Sequence, residues 1–164
     1  MGQTEQIAGG IGKQALQLAA FTGIAQGAAF LARPKGTSSW ALKLASKPKW
    51  EVPSKAMAPF WIGGFGLLGL SAFAAWRGGA RSALPLWASY LGGNALWNNF
   101  GHDLGNTGVR NAVNMGLLGT YAFRAGKQSR AAQWLALPFV AWLGYVALGT
   151  RATRKRNPIL SRFF

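Results

Sequence analysis

Side chains suited to covalent chemistry are scarce in this sequence, and aromatic rings stand in their place. There is no Cys, which excludes disulfides, thiolate metal sites and cysteine nucleophiles. The single histidine, His102, excludes a multi-histidine metal centre within one chain. The acids are Glu5, Glu51 and Asp103, too scattered to form a local carboxylate pair for glycoside hydrolysis. His102 and Asp103 are adjacent, but at an expected helix end they read as a capping or interfacial pair. No catalytic residue and no metal ligand is assigned.

The rings recur at helical spacing. Trp61, Phe65, Leu68 and Ala72 share one helix face. Trp87, Tyr90, Asn94, Trp97 and Gly101 share another, and Trp134, Pro138, Trp142, Tyr145 and Gly149 a third. Such stripes either pack a core or line a slot for a flat apolar ligand such as a porphyrin or sterol. Trp76, Trp87 and Trp134 lie close to expected helix ends and fit interfacial belts. Asn94 puts an amide inside an apolar stripe, so it needs a partner from another helix or from a ligand.

The charge pattern shows what positions these stripes. The 164 residues hold 18 Lys+Arg against 3 acids, a net charge of +15. That balance suits an anionic partner, either nucleic acid or lipid phosphate. Location decides between them. Segments 14–32, 56–76, 82–101 and 131–150 carry no charge over 19, 21, 20 and 20 residues. A helix needs about 20 residues to cross a bilayer core. A fifth segment, 106–123, is uncharged over 111–123, with Arg110 and Arg124 able to snorkel at its ends. A soluble bundle would instead carry charges on its outer helix faces.

The expectation is an all-α membrane protein, a five-transmembrane-helix bundle forming one domain over 1–164. The helices fall roughly at 8–33, 54–77, 82–103, 106–125 and 130–152, with a basic loop 33–55 and a basic tail 151–164. Ser54 and Ser82 are expected as helix caps. The spans are rich in Gly and Ala, hence a mean hydropathy of only +0.13. Gly23 with Gly27, and Gly63, Gly66 and Gly69, offer close helix approach. A nucleic-acid binder would need a soluble basic face, which is not expected here. Residues 1–12 lack Arg and contain Glu5, unlike a cleavable presequence, so the first apolar run reads as a retained helix.

Several short motifs resemble those of the tryptophan-rich sensory protein/translocator protein family (TspO/MBR, peripheral-type benzodiazepine receptor). Lys47-Pro48-Lys49-Trp50 followed by Pro53 resembles its KPxWxPP loop. Pro59 and Trp61, then Phe65 and Gly69, match its FxPxW…Y…G spacing. Leu91, Asn94 and Trp97 match LxxNxxW, Pro138 to Trp142 match PYxAW, and Asn157 falls at its final Asn. Val52 replaces the first Pro of the PP pair, and Ala41, Thr150 and Arg154 also depart from the pattern. So do Asn98, Asn99, Gly101 and His102, where a proline-and-phenylalanine run is typical.

The resemblance implies a five-helix bundle, commonly dimeric, with a pocket closed by the first loop. Its ligands would be tetrapyrroles (protoporphyrin IX or haem) or sterols, bound without covalent attachment. By position, Trp50 and Trp142 would flank the ligand, Asn94 and Trp97 would line one wall, and Trp40 and Gly27 would lie near the rim. Pro48 and Pro138 belong to the matched motifs. Leu143, Tyr145 and Arg151 fit a short sterol-type pattern. Lys47 or Lys49 would meet either porphyrin propionates or lipid headgroups. Transport or sensing is the expected role; light-dependent porphyrin breakdown and a structural subunit of a membrane complex are the alternatives. The membrane would be the mitochondrial outer membrane or a secretory membrane in a eukaryote, and the envelope in a bacterium.

Twelve of the basic residues, in the first loop, the tail and at Arg110, fall on one side of the spans and six on the other. The excess predicts a cytosolic first loop and C-terminus. Protease added to the cytosolic side of intact membranes is expected to remove a C-terminal tag; full protection would contradict this orientation.

Overall fold

The computed structural model describes residues 2–32, 45–52, 54–100 and 107–159. Trp40, Ala41, Pro53, Gly101, the His102–Asp103 pair and most of the basic loop lie outside the described residues. Five helices are present: α1 Gly2–Leu31, α2 Ser54–Arg77, α3 Leu84–Phe100, α4 Thr107–Gly126 and α5 Arg130–Arg156. A 3-10 turn, Arg81–Ala83, precedes α3. There are no strands among the described residues. The helices form a ring in which α1 packs on α2, α2 on α5, α5 on α4, α4 on α3 and α3 on α1.

Helix ends are set by local chemistry. Gly79 adopts φ +84°, a left-handed conformation suited to Gly, and stops α2. The Ala80 N–H then donates to the Ala75 carbonyl at 2.8 Å, the signature of a Schellman stop. Ser129 begins α5: its hydroxyl accepts from the Ala132 N–H at 3.3 Å and donates to the Ala74 carbonyl at 3.2 Å. Gly78 permits this approach, since a Cβ there would lie 2.7 Å from that of Ser129. Ser82, expected as a cap, instead lies within the 3-10 turn, whose N-cap is Ala80 with no side-chain bond.

The core follows two of the three aromatic stripes. Phe65, Leu68 and Ala72 are fully buried, as is Tyr90, and Phe65, Tyr90 and Phe139 meet ring to ring. Trp87 is buried against Phe21 rather than placed at a membrane surface. Trp134, by contrast, is two-thirds exposed and suits a belt position. One polar node ties three helices together. Ser71 of α2 donates to the Ala132 carbonyl of α5 at 2.6 Å, leaving its oxygen to accept from Tyr121 of α4 at 2.7 Å.

Close approach occurs at Gly69, not at Gly23 and Gly27. Space for a Cβ at Gly23 or Gly27 is open, whereas at Gly69 a Cβ would lie 2.7 Å from the Thr22 backbone of α1. Gln26 then donates to the Ile62 carbonyl at 2.9 Å and Trp61 to the Ala29 carbonyl at 3.3 Å, pinning α1 to α2.

Among the described residues two helices, Met57–Arg77 and Arg130–Arg156, are long and apolar enough to cross a membrane, each with hydropathy 1.5. Lack of charge proves less stringent than apolarity: α1 includes Lys13, Gln14 and Gln17, α4 carries Asn111 and Asn114, and α3 has 17 residues. Of the two apolar windows, 28% and 22% is buried, whereas a soluble core helix would be mostly buried. Exposed Ile24, Phe30, Leu96, Val113, Phe123 and Leu148 extend an apolar exterior over all the other helices and α5. Gly69→Val is expected to lower stability in detergent by about 1–3 kcal/mol, by forcing α1 off α2. An unchanged thermal midpoint would show that the helices are not held at this contact.

Candidate functional site

A cleft of about 770 Å³ lies between α2 and α5. Its size suits a medium-sized ligand. Pro59, Phe60, Gly63, Gly64 and Leu67 line it from α2, and Pro138, Phe139, Ala141, Trp142 and Tyr145 from α5. Val52 of the first loop adds a wall. Among the described residues the lining is almost wholly apolar and includes no charged side chain. Gly64 makes room for the floor: any Cβ there would overlap the Phe139 ring.

The α5 stripe forms an aromatic ladder. Phe60 stacks on Trp142 with ring centres 5.0 Å apart and planes 4° from parallel. Trp142 stacks on Tyr145 at 5.3 Å and 24°, and Tyr145 meets Trp50 edge-on at 5.4 Å and 71°. A planar apolar molecule can continue such a stack. The α5 stripe is therefore offset from the buried line of Ala132, Ala136, Phe139 and Leu143, and this offset leaves its rings for the cleft.

The loop is strapped to α5 at three points. The Tyr145 hydroxyl donates to the Trp50 carbonyl and accepts from the Val52 N–H, each at 2.8 Å. Asn157 reads the Ser46 backbone from both sides, accepting from its N–H and donating to its carbonyl, each at 2.9 Å. Arg156 donates to the Lys47 carbonyl at 3.2 Å. Within the loop, Glu51 N–H donates to the Pro48 carbonyl at 3.0 Å, and Lys47 pairs with Glu51 at 3.1 Å. Lys47 is nearly half exposed in that pair, while Glu51 is three-quarters buried. The Val52 departure matters here, because a proline has no N–H to give Tyr145.

The sequence-derived residues divide. Trp142 and Pro138 line the cleft. Trp50 is half exposed and adjoins it through Tyr145, its ring lying over Gly149. Pro48 is buried in the loop turn. Asn94 is buried on α3, where its amide donates to the Tyr90 hydroxyl at 3.3 Å. Neither Asn94 nor Trp97 lines the cleft, and Gly27 sits exposed on α1. Trp40 lies outside the described residues. The sterol-type triplet does not converge: Leu143 enters the core, Tyr145 faces the cleft and Arg151 is exposed. Phe60, Gly63, Gly64 and Leu67 were not foreseen as lining. The i, i+4 pairs Phe60–Gly64 and Gly63–Leu67 were the available signal.

A five-helix bundle with lipid-compatible outer faces and an aromatic cleft fits a helical membrane protein. The sequence model of the TspO/MBR family matches residues 15–153, and the chain belongs to that family. No curated protein sequence matches it significantly. Membership brings with it a membrane ligand-binding or sensing role.

Tyr145→Phe keeps the ring and removes both loop bonds. Since a net 1–2 kcal/mol shifts an opening equilibrium about 5- to 30-fold, trypsin should cut the Lys49–Trp50 bond faster by that factor. Val52→Pro removes one of the two bonds and should give a smaller increase. Equal cleavage of all three proteins would show that Tyr145 does not hold the loop.

Proposed function

We propose that this protein binds a flat, largely apolar ligand in the α2–α5 cleft, a porphyrin or other tetrapyrrole first and a sterol second. The observation that carries the reading is the Phe60–Trp142–Tyr145 ladder along an uncharged cleft. Each ring face adds area and stacking that suit a planar macrocycle. The loop at Val52 closes one end of the site. Porphyrin propionates would turn toward the basic loop, where Lys49 is exposed and Lys47 is engaged with Glu51.

Handing a ligand across or along the membrane, or sensing it, is the role we assign. All five helices would cross the bilayer, with the loop and C-terminus cytosolic by the distribution of basic residues. The more polar α1, α3 and α4 would be carried by packing against α2 and α5. A homodimer and residence in the mitochondrial outer membrane, if the source is eukaryotic, belong to the same reading. No ligand is held covalently in this scheme.

Titration with protoporphyrin IX in the dark should quench Trp fluorescence. Trp142→Ala should weaken binding by about tenfold or more, corresponding to about 1.4 kcal/mol. Asn94→Leu should leave the affinity unchanged. Loss of porphyrin absorbance under light alone would favour breakdown. Absence of quenching at micromolar porphyrin would favour a structural subunit that keeps the fold.

A further inference from the structure

A second cavity, of about 360 Å³, lies at the opposite end of the bundle from the loop. Its walls come from Lys13, Gln14 and Gln17 of α1, Trp76 and Arg77 at the end of α2, and Arg81 of the 3-10 turn. The Gly78-Gly79 turn brings Arg77 and Arg81 to one site, and the Arg81 guanidinium lies 4.4 Å from the Trp76 ring centre. Three cations and two amides thus converge on one cavity.

Among the described side chains, no carboxylate lines this cavity. Glu51 is at the other end of the bundle, paired with Lys47. Like charges gathered without a counter-charge favour an anion as occupant.

The surroundings indicate what carries that anion. Leu16, nearly one turn from Lys13, is 71% exposed, and Ile11 is 64% exposed. Trp76 joins the cationic cavity to the apolar flank, as an indole at a membrane surface does. We propose that this cavity binds the phosphate headgroup of an acidic phospholipid, with Arg77, Arg81 and Lys13 on the phosphate and the acyl chains along the exposed face of α1. This is a site separate from the aromatic cleft, and it is on the side with fewer basic residues.

Native mass spectrometry of the full chain in detergent tests the proposal with dioleoyl phosphatidylglycerol and dioleoyl phosphatidylcholine. The wild-type protein should bind the acidic lipid about tenfold or more tightly than the zwitterionic one. The double variant Lys13→Gln/Arg81→Gln should weaken the acidic lipid about thirtyfold, whereas Arg130→Gln, outside the cavity, should not. Arg81→Lys, which keeps the charge, should retain binding if the double variant fails to fold. Inorganic phosphate in millimolar excess should not displace the lipid. Equal binding of both lipids overturns the proposal, as does equal weakening by Arg130→Gln. Displacement by phosphate overturns the lipid assignment in favour of a free phosphate ligand. None of these outcomes depends on porphyrin binding.

Discussion

The Tyr145 hydroxyl is the contact on which the arrangement of the site depends. It uses its one proton on the Trp50 carbonyl and its lone pair on the Val52 N–H. Both backbone groups belong to the described loop segment 45–52, which forms no helix or strand to satisfy them. The same side chain contributes its ring to the aromatic ladder. Loop position and cleft shape are thereby set by one residue of α5. Asn157, about three turns further along at the end of α5, binds Ser46, so the described loop segment 45–52 is held at both ends by α5 and its cap.

That coupling gives the cleft a defined floor and closed end while its outer side stays open to the apolar exterior. Gly64 sets how near Phe139 comes to α2, and Phe60 and Trp142 then meet in parallel across the gap. The polar node of Ser71, Tyr121 and the Ala132 carbonyl lies deeper and holds α2, α4 and α5 together, so the two walls of the cleft keep their register. A buried node in which both hydroxyl protons are used favours one packing over alternatives.

The five helices were legible because charges mark segment edges, and this holds whether or not each segment is strongly apolar. Which helices are apolar enough to span was not legible from charge, since Gln and Asn lower hydropathy without adding charge. Trp142 and Pro138 line the cleft because the α5 stripe is separate from its buried line. Asn94 lies elsewhere, because a period of 3.6 gives a face but not the neighbour that the face meets. Its amide is met by Tyr90, four residues earlier on the same helix. Gly23 and Gly27 show the same limit: their spacing permits close packing, yet Gly69 is where two backbones meet. The Val52 departure reads as a loss in sequence and becomes a hydrogen-bond donor in the structure.

Net charge marks the two edges of the molecule and aromatic content its middle. Basic residues gather at both edges of the bundle, in the strapped loop and around the cavity of Lys13, Arg77 and Arg81. The rings that suit a ligand lie between those edges. A structure of the protein with protoporphyrin IX bound tests this division most directly. The account predicts the macrocycle between α2 and α5, stacked against Phe60 and Trp142 beneath Val52. A macrocycle seated on α3 beside Asn94 and Trp97, with the α2–α5 cleft empty, would contradict it.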